Sequence, residues 1–296
     1  MNKTNHNKLT KLTRDLDLFL KTKITNGHFP LDNYYGEIFF AGATENKKIR
    51  ENILNAYLKK NKADIDFHWE FNNYILQQLN LDYKKFNIYY FNRPFYKKAT
   101  NWIFLRALIL IKKNSFVPKI WGHLLATFTI LINQRKGILY DNRLYKKKEI
   151  SHQYHAFATV VLAEIFIETK RTSYKRKLIK AIKKLKEMCK NIKTFNNGGR
   201  GSRQIFGYSS AIYALQLGKT LFGIDSDKEI LLLINELIKF QKKDGSIPLC
   251  LTKEEFIYTE KDYKKLKTDI IGWESYNRYY DYLGFSYYFF KKTLSL

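Results

Sequence analysis

The chain has 296 residues, of which 45% are hydrophobic and 16% aromatic, with only 4 Pro and 14 Gly. This composition excludes a long disordered or linker-like protein and suits one packed domain with a sizeable core. Lys and Arg number 53 against 27 Asp and Glu, and the net charge of +26 favours an acidic polysaccharide, nucleic acid or anionic lipid as partner. An AT-rich genome would enrich Lys, Asn, Ile, Tyr and Phe together and explains the charge equally well.

Apolar residues recur at helical spacing along most of the chain, which predicts about ten helices. The predicted helices are Leu9–Ile24, Lys47–Leu58, Phe67–Leu79, Ala99–Lys112, Pro118–Asn133, Gln153–Thr169, Tyr174–Ile192, Gln204–Leu221, Lys228–Lys242 and Trp273–Leu294. Turns rich in Gly, Asn and Pro separate several of them. Only the aromatic run Phe86–Phe91 is a candidate strand, so a sheet-based fold is not expected.

Helices of similar length joined by short connections favour antiparallel helix hairpins in series. The predicted fold is therefore all-α, an (α/α) toroid or incomplete α/α barrel, formed by a single domain over residues 1–296. Residues 1–30 are expected to form a peripheral N-terminal helix. The apolar stretches Ile103–Ile111 and Trp121–Ile132 are shorter than the ~20 residues of a membrane-spanning helix, so both are predicted to be buried.

Cysteine usage and the start of the chain indicate a cytoplasmic protein. Cys189 and Cys250 are too few for a disulfide framework and fit a reducing compartment. Residues 1–15 are polar and basic, without the apolar core of a signal peptide. No residue pattern indicates a cofactor.

Four segments place polar and aromatic residues in the first turns of helices that continue as apolar helices. In an array of antiparallel hairpins, alternate helices begin on the same side, so these segments can converge on one cleft. The first, 66–74, has Asp66 as a candidate N-cap, with Trp69, Glu70 and Asn73 as candidate site residues. A solvent-facing Asn pair is the alternative interpretation of Asn72 and Asn73.

The second segment, 151–157, has Ser151 as a good N-cap, followed by His152, Tyr154 and His155. The positive end of a helix lowers the proton affinity of a histidine and favours a neutral base. Two histidines three apart can bind a metal, but no Cys, Asp or Glu lies nearby at ligand spacing, so no metal site is predicted. Buried structural histidines are the alternative.

The third segment, 197–208, combines glycines with two arginines just before a helix, a pattern that a bound anion would explain. Its candidate residues are Arg200, Arg203, Gln204 and Tyr208. The glycine spacing fits neither a Walker nor a dinucleotide fingerprint. A glycine turn with solvated arginines is the alternative.

The fourth segment, 272–282, opens the last helix with aromatic rings that could stack on sugars and polar groups that could bind hydroxyls. Its candidate substrate-binding residues are Trp273, Glu274, Tyr276, Asn277 and Tyr280. Packing of a terminal helix would use the same aromatic residues.

With these segments the chain resembles the (α/α)-toroid carbohydrate-active enzymes, and among them the polysaccharide lyases that cut uronate-containing glycans, such as alginate lyases and heparinase-like toroids. The turn at residues 244–248 is also common in α-toroid proteins. The resemblance spans roughly Phe67 to Tyr282. Many of those lyases are exported and carry a β-sandwich domain, and neither a signal peptide nor that domain is visible in this sequence.

In such lyases an Asn, often with an Arg or His, neutralises the uronate carboxylate, a Tyr or His removes the C5 proton, and a Tyr protonates the leaving oxygen. The resemblance implies that Asn73 polarises the carboxylate and that His152 or His155 acts as base or second polarising group. It further implies that Arg203 holds the anion and that Tyr208 is base or acid. As a base, Tyr208 would need Arg203 to lower its pKa from about 10.

The predicted function is therefore β-elimination of an acidic polysaccharide or oligosaccharide. Paired carboxylates among Asp66, Glu70, Glu274 and Asp281 would instead suit a toroid glycoside hydrolase, and a uronyl epimerase would share the lyase's proton abstraction. A non-catalytic helical protein that binds nucleic acid or an anionic membrane surface, or a scaffold for protein partners, is the remaining alternative.

Overall fold

The computed structural model of the chain describes residues 1–59, 68–79, 99–141, 150–192, 195, 197, 199–265 and 277–296. Within these ranges the helices are α1 (Lys3–Lys23), α2 (Gly36–Ala43), α3 (Lys47–Lys59), α4 (Trp69–Gln78), α5 (Thr100–Ile111), α6 (Phe116–Asn133), α7 (His152–Thr169), α8 (Thr172–Cys189), α9 (Ile205–Phe222), α10 (Asp227–Phe240), α11 (Lys253–Phe256), α12 (Glu260–Lys265) and α13 (Tyr279–Leu294). A short antiparallel hairpin, β1 (Gln134–Arg135) and β2 (Ile138–Leu139), links α6 to the chain before α7.

The all-α prediction is confirmed, and each of the ten predicted helices has a counterpart with shifted ends. Periodicity missed α2, whose eight residues are mostly buried, because a short helix with no polar face carries no amphipathic pattern. It also missed α11, α12 and the hairpin. The candidate strand Phe86–Phe91 lies outside the described residues.

Two kinds of helix form two concentric layers. The inner layer consists of α2, α4, α5, α7, α9 and α13, which are buried around most of their circumference; in α9 every residue from Ile205 to Gly218 is buried. The outer helices α1, α3, α6, α8 and α10 bury one face and expose the other. Contacts run in a closed circuit from α2 through α4, α5, α7, α9 and α13 back to α2.

The inner helices begin on the same side of this ring. At the starts of α4 and α5, the rings of His68 and Trp102 lie 5.0 Å apart. One helical length further, Gln77 Nε2 donates to the Ile109 carbonyl at 2.9 Å, so the two helices are parallel. We refer to the surface formed by the starts of α2, α4, α5, α7, α9 and α13 as the rim.

Aromatic rings fill the centre of the ring of helices. Phe285 lies 4.0 Å from Phe206 and 5.1 Å from Phe39 between ring centroids, and Phe157 lies 5.6 Å from Phe71. Rings contributed by five inner helices thus meet on the axis and fill the interior of the toroid.

The two apolar stretches that were predicted to be buried, Ile103–Ile111 in α5 and Trp121–Ile132 in α6, have different environments. Residues of α5 are mostly buried, as predicted. The prediction of burial is wrong for the stretch in α6, where Trp121, Leu124 and Leu131 are more than half exposed. In the described part of the chain, α6 alone has the length and apolarity of a membrane-spanning helix, and 33% of that window is buried.

Candidate functional site

The second and third sequence segments meet at the start of α7. Ser151 caps this helix by accepting the Tyr154 N–H at 3.3 Å, and its hydroxyl donates to the Arg200 carbonyl at 2.9 Å. Gly199 has φ +75°, and a Cβ there would lie 2.9 Å from the Ile150 carbonyl oxygen. A side chain would not fit at this crossing, so the glycine allows the arginine loop to lie directly across the helix start.

Arg200 links this crossing to a carboxylate that the sequence analysis did not select. Its Nη2 donates to Asp141 Oδ2 at 2.6 Å, and its guanidinium lies 4.4 Å from the centre of the Tyr154 ring. The Asp141 side chain is 13% exposed. Burial raises the pKa of Asp141, and Arg200 offsets only part of that rise. Asp141 therefore combines a proton affinity above that of an ordinary carboxyl with a position at the rim.

Arg203, three residues after Arg200 in the same loop, is held in an unusual backbone conformation. Its φ is +62°, in the left-handed region that residues other than Gly, Asn and Asp seldom adopt. The Arg203 carbonyl accepts the Leu251 N–H at 2.9 Å, and its Nε donates to Asn197 Oδ1 at 3.0 Å. No carboxylate of the described ranges pairs with Arg203. Its positive charge is thus fixed at the rim and available to an anion.

Hydrogen bonds also join the third segment to the fourth. Gln204, the N-cap residue of α9, donates from Nε2 to Asn277 Oδ1 at 3.0 Å, and Asn277 Nδ2 donates to the Tyr282 hydroxyl. Gln204 and Asn277 are both buried. This amide pair positions the starts of α9 and α13 relative to each other and lies beneath the accessible surface.

The first segment meets the fourth through Tyr34, which precedes α2. The Tyr34 ring stacks on His68 with centroids 4.7 Å apart, and the Arg278 guanidinium lies 5.1 Å from the same ring. Arg278 Nη2 also donates to the Tyr34 hydroxyl at 3.1 Å. With Trp102 against His68, this part of the rim offers aromatic faces next to a cation, an arrangement suited to an anionic sugar.

Two residues predicted to be catalytic, Asn73 and His155, lie below the rim. Asn73 is buried and donates from Nδ2 to the Trp69 carbonyl at 2.8 Å in its own helix. His155 is fully buried, and its Nδ1 accepts the Leu139 N–H at 3.1 Å. Burial is the largest cause that lowers the pKa of His155, to about 3. Neither side chain contacts the space above the rim.

The pKa of Tyr208 is shifted in the direction opposite to the one that its predicted role as a base requires. The predicted base role required a lowered pKa, but burial and the charge of Glu236 raise the Tyr208 pKa well above its usual value. Arg203 lowers it, as expected, but by less than burial raises it. Tyr208 is therefore a protonated, buried phenol at neutral pH, packed edge-on against Phe195 with centroids 5.4 Å apart.

His152 is the predicted base that remains near the surface. It is partly buried at the first position of α7, and its ring stacks on Phe195 with centroids 5.8 Å apart. Burial lowers the pKa of His152, so the imidazole is neutral at neutral pH.

The other predicted substrate-binding residues are either buried or outside the described residues. Trp69 and Glu70 are buried around Arg106, whose guanidinium lies 5.1 Å from the Trp69 ring and whose Nη2 donates to Glu70 Oε1 at 3.0 Å. Tyr280 is fully buried and stacks on Phe29 at 4.4 Å. Trp273, Glu274, Tyr276 and the proposed N-cap Asp66 lie outside the described residues.

Asp281, a candidate hydrolase carboxylate by sequence, has a structural contact instead. Its Oδ1 accepts the backbone N–H groups of Tyr34, Tyr35 and Gly36 at 2.7–2.9 Å and caps the start of α2. A carboxylate at the positive end of a helix is stabilised as an anion and is poorly suited to donate a proton.

A cavity of about 740 Å³ opens beside the rim, between the end of α1 and the connection from α10 to α13. Lys23, Lys242 and Lys261 lie along it together with Asp244 and Glu260. None of the predicted site residues that the structure describes lines it. No group of three or more His, Cys, Asp or Glu side chains in the described ranges could hold a metal ion.

Asp141, Tyr34, Trp102 and Arg278 are the rim residues that the sequence analysis did not select. A signal for Asp141 was present, since no other Asp or Glu occurs between Asp82 and Glu149. An isolated carboxylate in so basic a stretch is a candidate for a specific partner. Tyr34 and Trp102 carried no such signal, because each lies among many other aromatic residues.

Comparison with known proteins agrees with this architecture. No family model matches the sequence, and no curated protein matches it significantly. Among solved structures, a glycosyl hydrolase family 88 protein from Bacteroides vulgatus superposes with a TM-score of 0.67 at 12% identity, over 98% of this chain and 99% of that one. A polysaccharide lyase superposes with a TM-score of 0.63 at 12% identity, over 97% of both chains. The chain has the (α/α)-toroid fold. The match extends over the whole length of both structures, so the fold resemblance inferred from the helix starts is confirmed.

Proposed function

We propose that this chain is a carbohydrate-active enzyme that binds an acidic, uronate-containing glycan on the rim. The observation that carries the proposal is the juxtaposition of Asp141, a carboxyl with raised pKa, with Arg200, and of Arg203 in the same loop. The two solved toroids named above are a hydrolase and a polysaccharide lyase, which makes a glycan the first substrate class to test.

In this proposal a cationic side chain binds the carboxylate of the glycan and aromatic rings bind its sugar faces. The Arg203 side chain donates to Asn197 and meets no carboxylate in the described ranges, so a uronate carboxylate would supply an anion for it. Tyr34 and Trp102, both half-buried and held by the buried ring of His68 between them, offer ring edges and faces for neighbouring sugars. Positive charge beside stacked rings selects an acidic over a neutral glycan.

Proton transfer is assigned to His152 and Asp141. In β-elimination the neutral His152 imidazole takes the C5 proton, the C4–O bond breaks, and its electron pair leaves with the glycosidic oxygen as the C4–C5 double bond forms. Asp141 gives its proton to that oxygen. Arg203 stabilises the negative charge that develops on the uronate carboxylate in the transition state.

Hydrolysis is the second candidate reaction, and the raised pKa of Asp141 favours it specifically. There Asp141 protonates the glycosidic oxygen as its bond to the anomeric carbon breaks, water attacks that carbon, and the proton that the water loses passes to the Asp141 carboxylate. No base at C5 is needed. The epimerase alternative would use the C5 base without cleavage.

The test is a panel of uronate polysaccharides and of their neutral counterparts, assayed for reducing ends and for ultraviolet absorbance of an unsaturated uronate. Elimination gives both signals, hydrolysis gives reducing ends alone, and epimerisation gives neither but exchanges the C5 hydrogen with solvent. Asp141→Asn is expected to lower kcat by about 100-fold or more, and His152→Gln by a similar factor only if elimination occurs.

Asp17→Asn is the matched control, because Asp17 is a partly buried carboxylate on α1 that pairs with Lys21 at 2.5 Å and accepts the hydroxyl of Tyr287, more than two turns into α13. It should retain activity. If the purified chain processes no uronate glycan but binds oligonucleotides in a salt-sensitive manner, the enzyme proposal is wrong and polyanion binding replaces it.

A further inference from the structure

The outer helix α6 presents its apolar side to solvent. Seven large apolar residues are exposed on it, with Phe116 76%, Phe128 64% and Leu131 66% exposed. At about 100° per residue they occupy one arc of roughly 140°. The full set is Phe116, Val117, Ile120, Trp121, Leu124, Phe128 and Leu131, which we call the α6 stripe.

The opposite side of α6 carries small residues and packs against the rest of the toroid. Its buried residues include Pro118, Gly122 and Ala126. A Cβ on Gly122 would lie 2.7 Å from the Ala107 carbonyl oxygen, so α5 and α6 approach at backbone distance. This packing fixes the α6 stripe outward, and it also means that α6 cannot be surrounded by lipid on all sides.

Cationic side chains border the stripe. Lys112 and Lys113 precede it, Lys119 lies within α6, and Arg135 and Lys136 follow it, while no Asp or Glu occurs in residues 112–140. An apolar arc of this size edged by positive charge is unusual on a soluble surface and is typical of an interfacial membrane helix.

Helix α8 extends the same basic surface. It packs beside α6 through the Tyr174 hydroxyl, 3.2 Å from His123 Nδ1, and through Gln134 Nε2, which donates to the Lys177 carbonyl at 2.9 Å. Residues 169–186 contain no Asp or Glu, and the exposed Arg176 and Lys180 lie on this helix. The positive charge therefore continues beyond the end of the stripe.

From this arrangement we propose that the α6 stripe docks the toroid on an anionic membrane surface. The apolar rings of α6 enter the boundary between headgroups and acyl chains, and the Lys and Arg of α6 and α8 contact lipid phosphates. A second copy of the chain is a poorer occupant, because the two basic borders would face each other. The proposal is independent of the reaction catalysed at the rim.

Flotation with large unilamellar vesicles tests the docking. The chain should bind vesicles that contain phosphatidylglycerol at low salt, bind them at least tenfold more weakly at high salt, and bind pure phosphatidylcholine weakly. The fluorescence of Trp121, which is 53% exposed, should shift to shorter wavelength on binding, and the shift should be lost in Trp121→Phe.

Two sets of variants separate the apolar and the electrostatic contributions, and each is expected to weaken binding by at least tenfold without loss of thermal stability. The stripe set is Phe116→Ser, Trp121→Ser and Phe128→Ser, and the charge set is Arg176→Gln, Lys177→Gln and Lys180→Gln. The matched controls alter exposed residues elsewhere, namely Leu18→Ser, Leu58→Ser and Ile238→Ser for the first set and Lys47→Gln, Lys48→Gln and Lys253→Gln for the second.

Equal loss in a control set and its test set would overturn the proposal, since binding would then follow overall apolarity or charge. So would absence of binding to anionic vesicles. Sedimentation velocity supplies the remaining outcome: a dimer that the stripe set converts to monomer, with no vesicle binding, would show that a second copy covers α6 instead.

Discussion

Replacement of Asp281 provides a direct test of how the ring of inner helices is closed. Its carboxylate lies on α13 and accepts three consecutive backbone N–H groups at the start of α2, at 2.9 Å from Tyr34 and 2.7 Å from Tyr35 and Gly36. The side chain is buried, with 1% of the residue exposed. Removal of this carboxylate takes away the acceptor that these three donors share.

The expected cost follows from the type of bond lost. Hydrogen bonds to a charged acceptor contribute about 1.5–3 kcal/mol each, but the three share one oxygen and do not add. Asp281→Ala should therefore lower the free energy of unfolding by about 3–5 kcal/mol, and Asp281→Asn, which keeps one neutral acceptor, by about 2 kcal/mol. With a urea m-value of about 3 kcal/mol/M, the Ala variant shifts the midpoint by roughly 1 M.

Urea unfolding followed by circular dichroism measures this shift. The control is Asp15→Asn, since Asp15 pairs with the exposed Arg14 at 3.2 Å and such surface pairs contribute at most about 1 kcal/mol. If Asp281→Ala unfolds at the same urea concentration as the unaltered protein, the cap does not hold α2 to α13 and the structural role assigned to this carboxylate is incorrect.

Three further predictions concern the interior. Gly284→Ala should destabilise by several kcal/mol more than Gly218→Ala in thermal melts, because the new Cβ of Gly284 meets a carbonyl oxygen of α2 at 2.1 Å, whereas that of Gly218 meets a movable side-chain atom at 2.6 Å. Lys292→Met should cost about 3–5 kcal/mol in urea unfolding, because it leaves buried Glu164, 3.4 Å from Lys292 Nζ, without its cation; an unchanged midpoint would contradict this. His155 has a folded-state pKa of about 3, below its unfolded value of about 6.5, so only the unfolded chain binds this proton as pH falls between them. The free energy of unfolding therefore falls by about 1.4 kcal/mol for each pH unit lost within this window. In urea unfolding at several pH values, His155→Gln should lower the pH dependence of this free energy by that slope, and equal slopes for the two proteins would refute the prediction.

The positions of the helices, and the side of the fold on which alternate helices begin, could be predicted from the local sequence. Apolar periodicity and capping residues such as Ser151 depend on neighbours within one or two turns, so the chain displays them directly. In antiparallel hairpins, alternate helix starts must also share one side. For that reason Ser151 meets Arg200 at the rim, and Gln204 meets Asn277 just beneath it.

Only the tertiary structure decided which of those side chains reach the rim. His155 and His152 lie one turn apart, yet one contacts the β-hairpin from inside the protein and the other lies near the surface. Their environments depend on elements distant in sequence, which periodicity does not encode. The Asp141–Arg200 pair joins positions 59 residues apart and shows the same dependence.

The apolar face of α6 shows the limit of periodicity most clearly. The spacing of its large apolar residues was correctly identified as helical, and the usual rule places such a face against the core. Here the face with small residues around Gly122 packs inward, because the backbone of α5 lies so close that only small side chains fit between the two helices. The sequence thus determined that α6 has two unlike faces, and the contact with α5 decided which of them meets solvent.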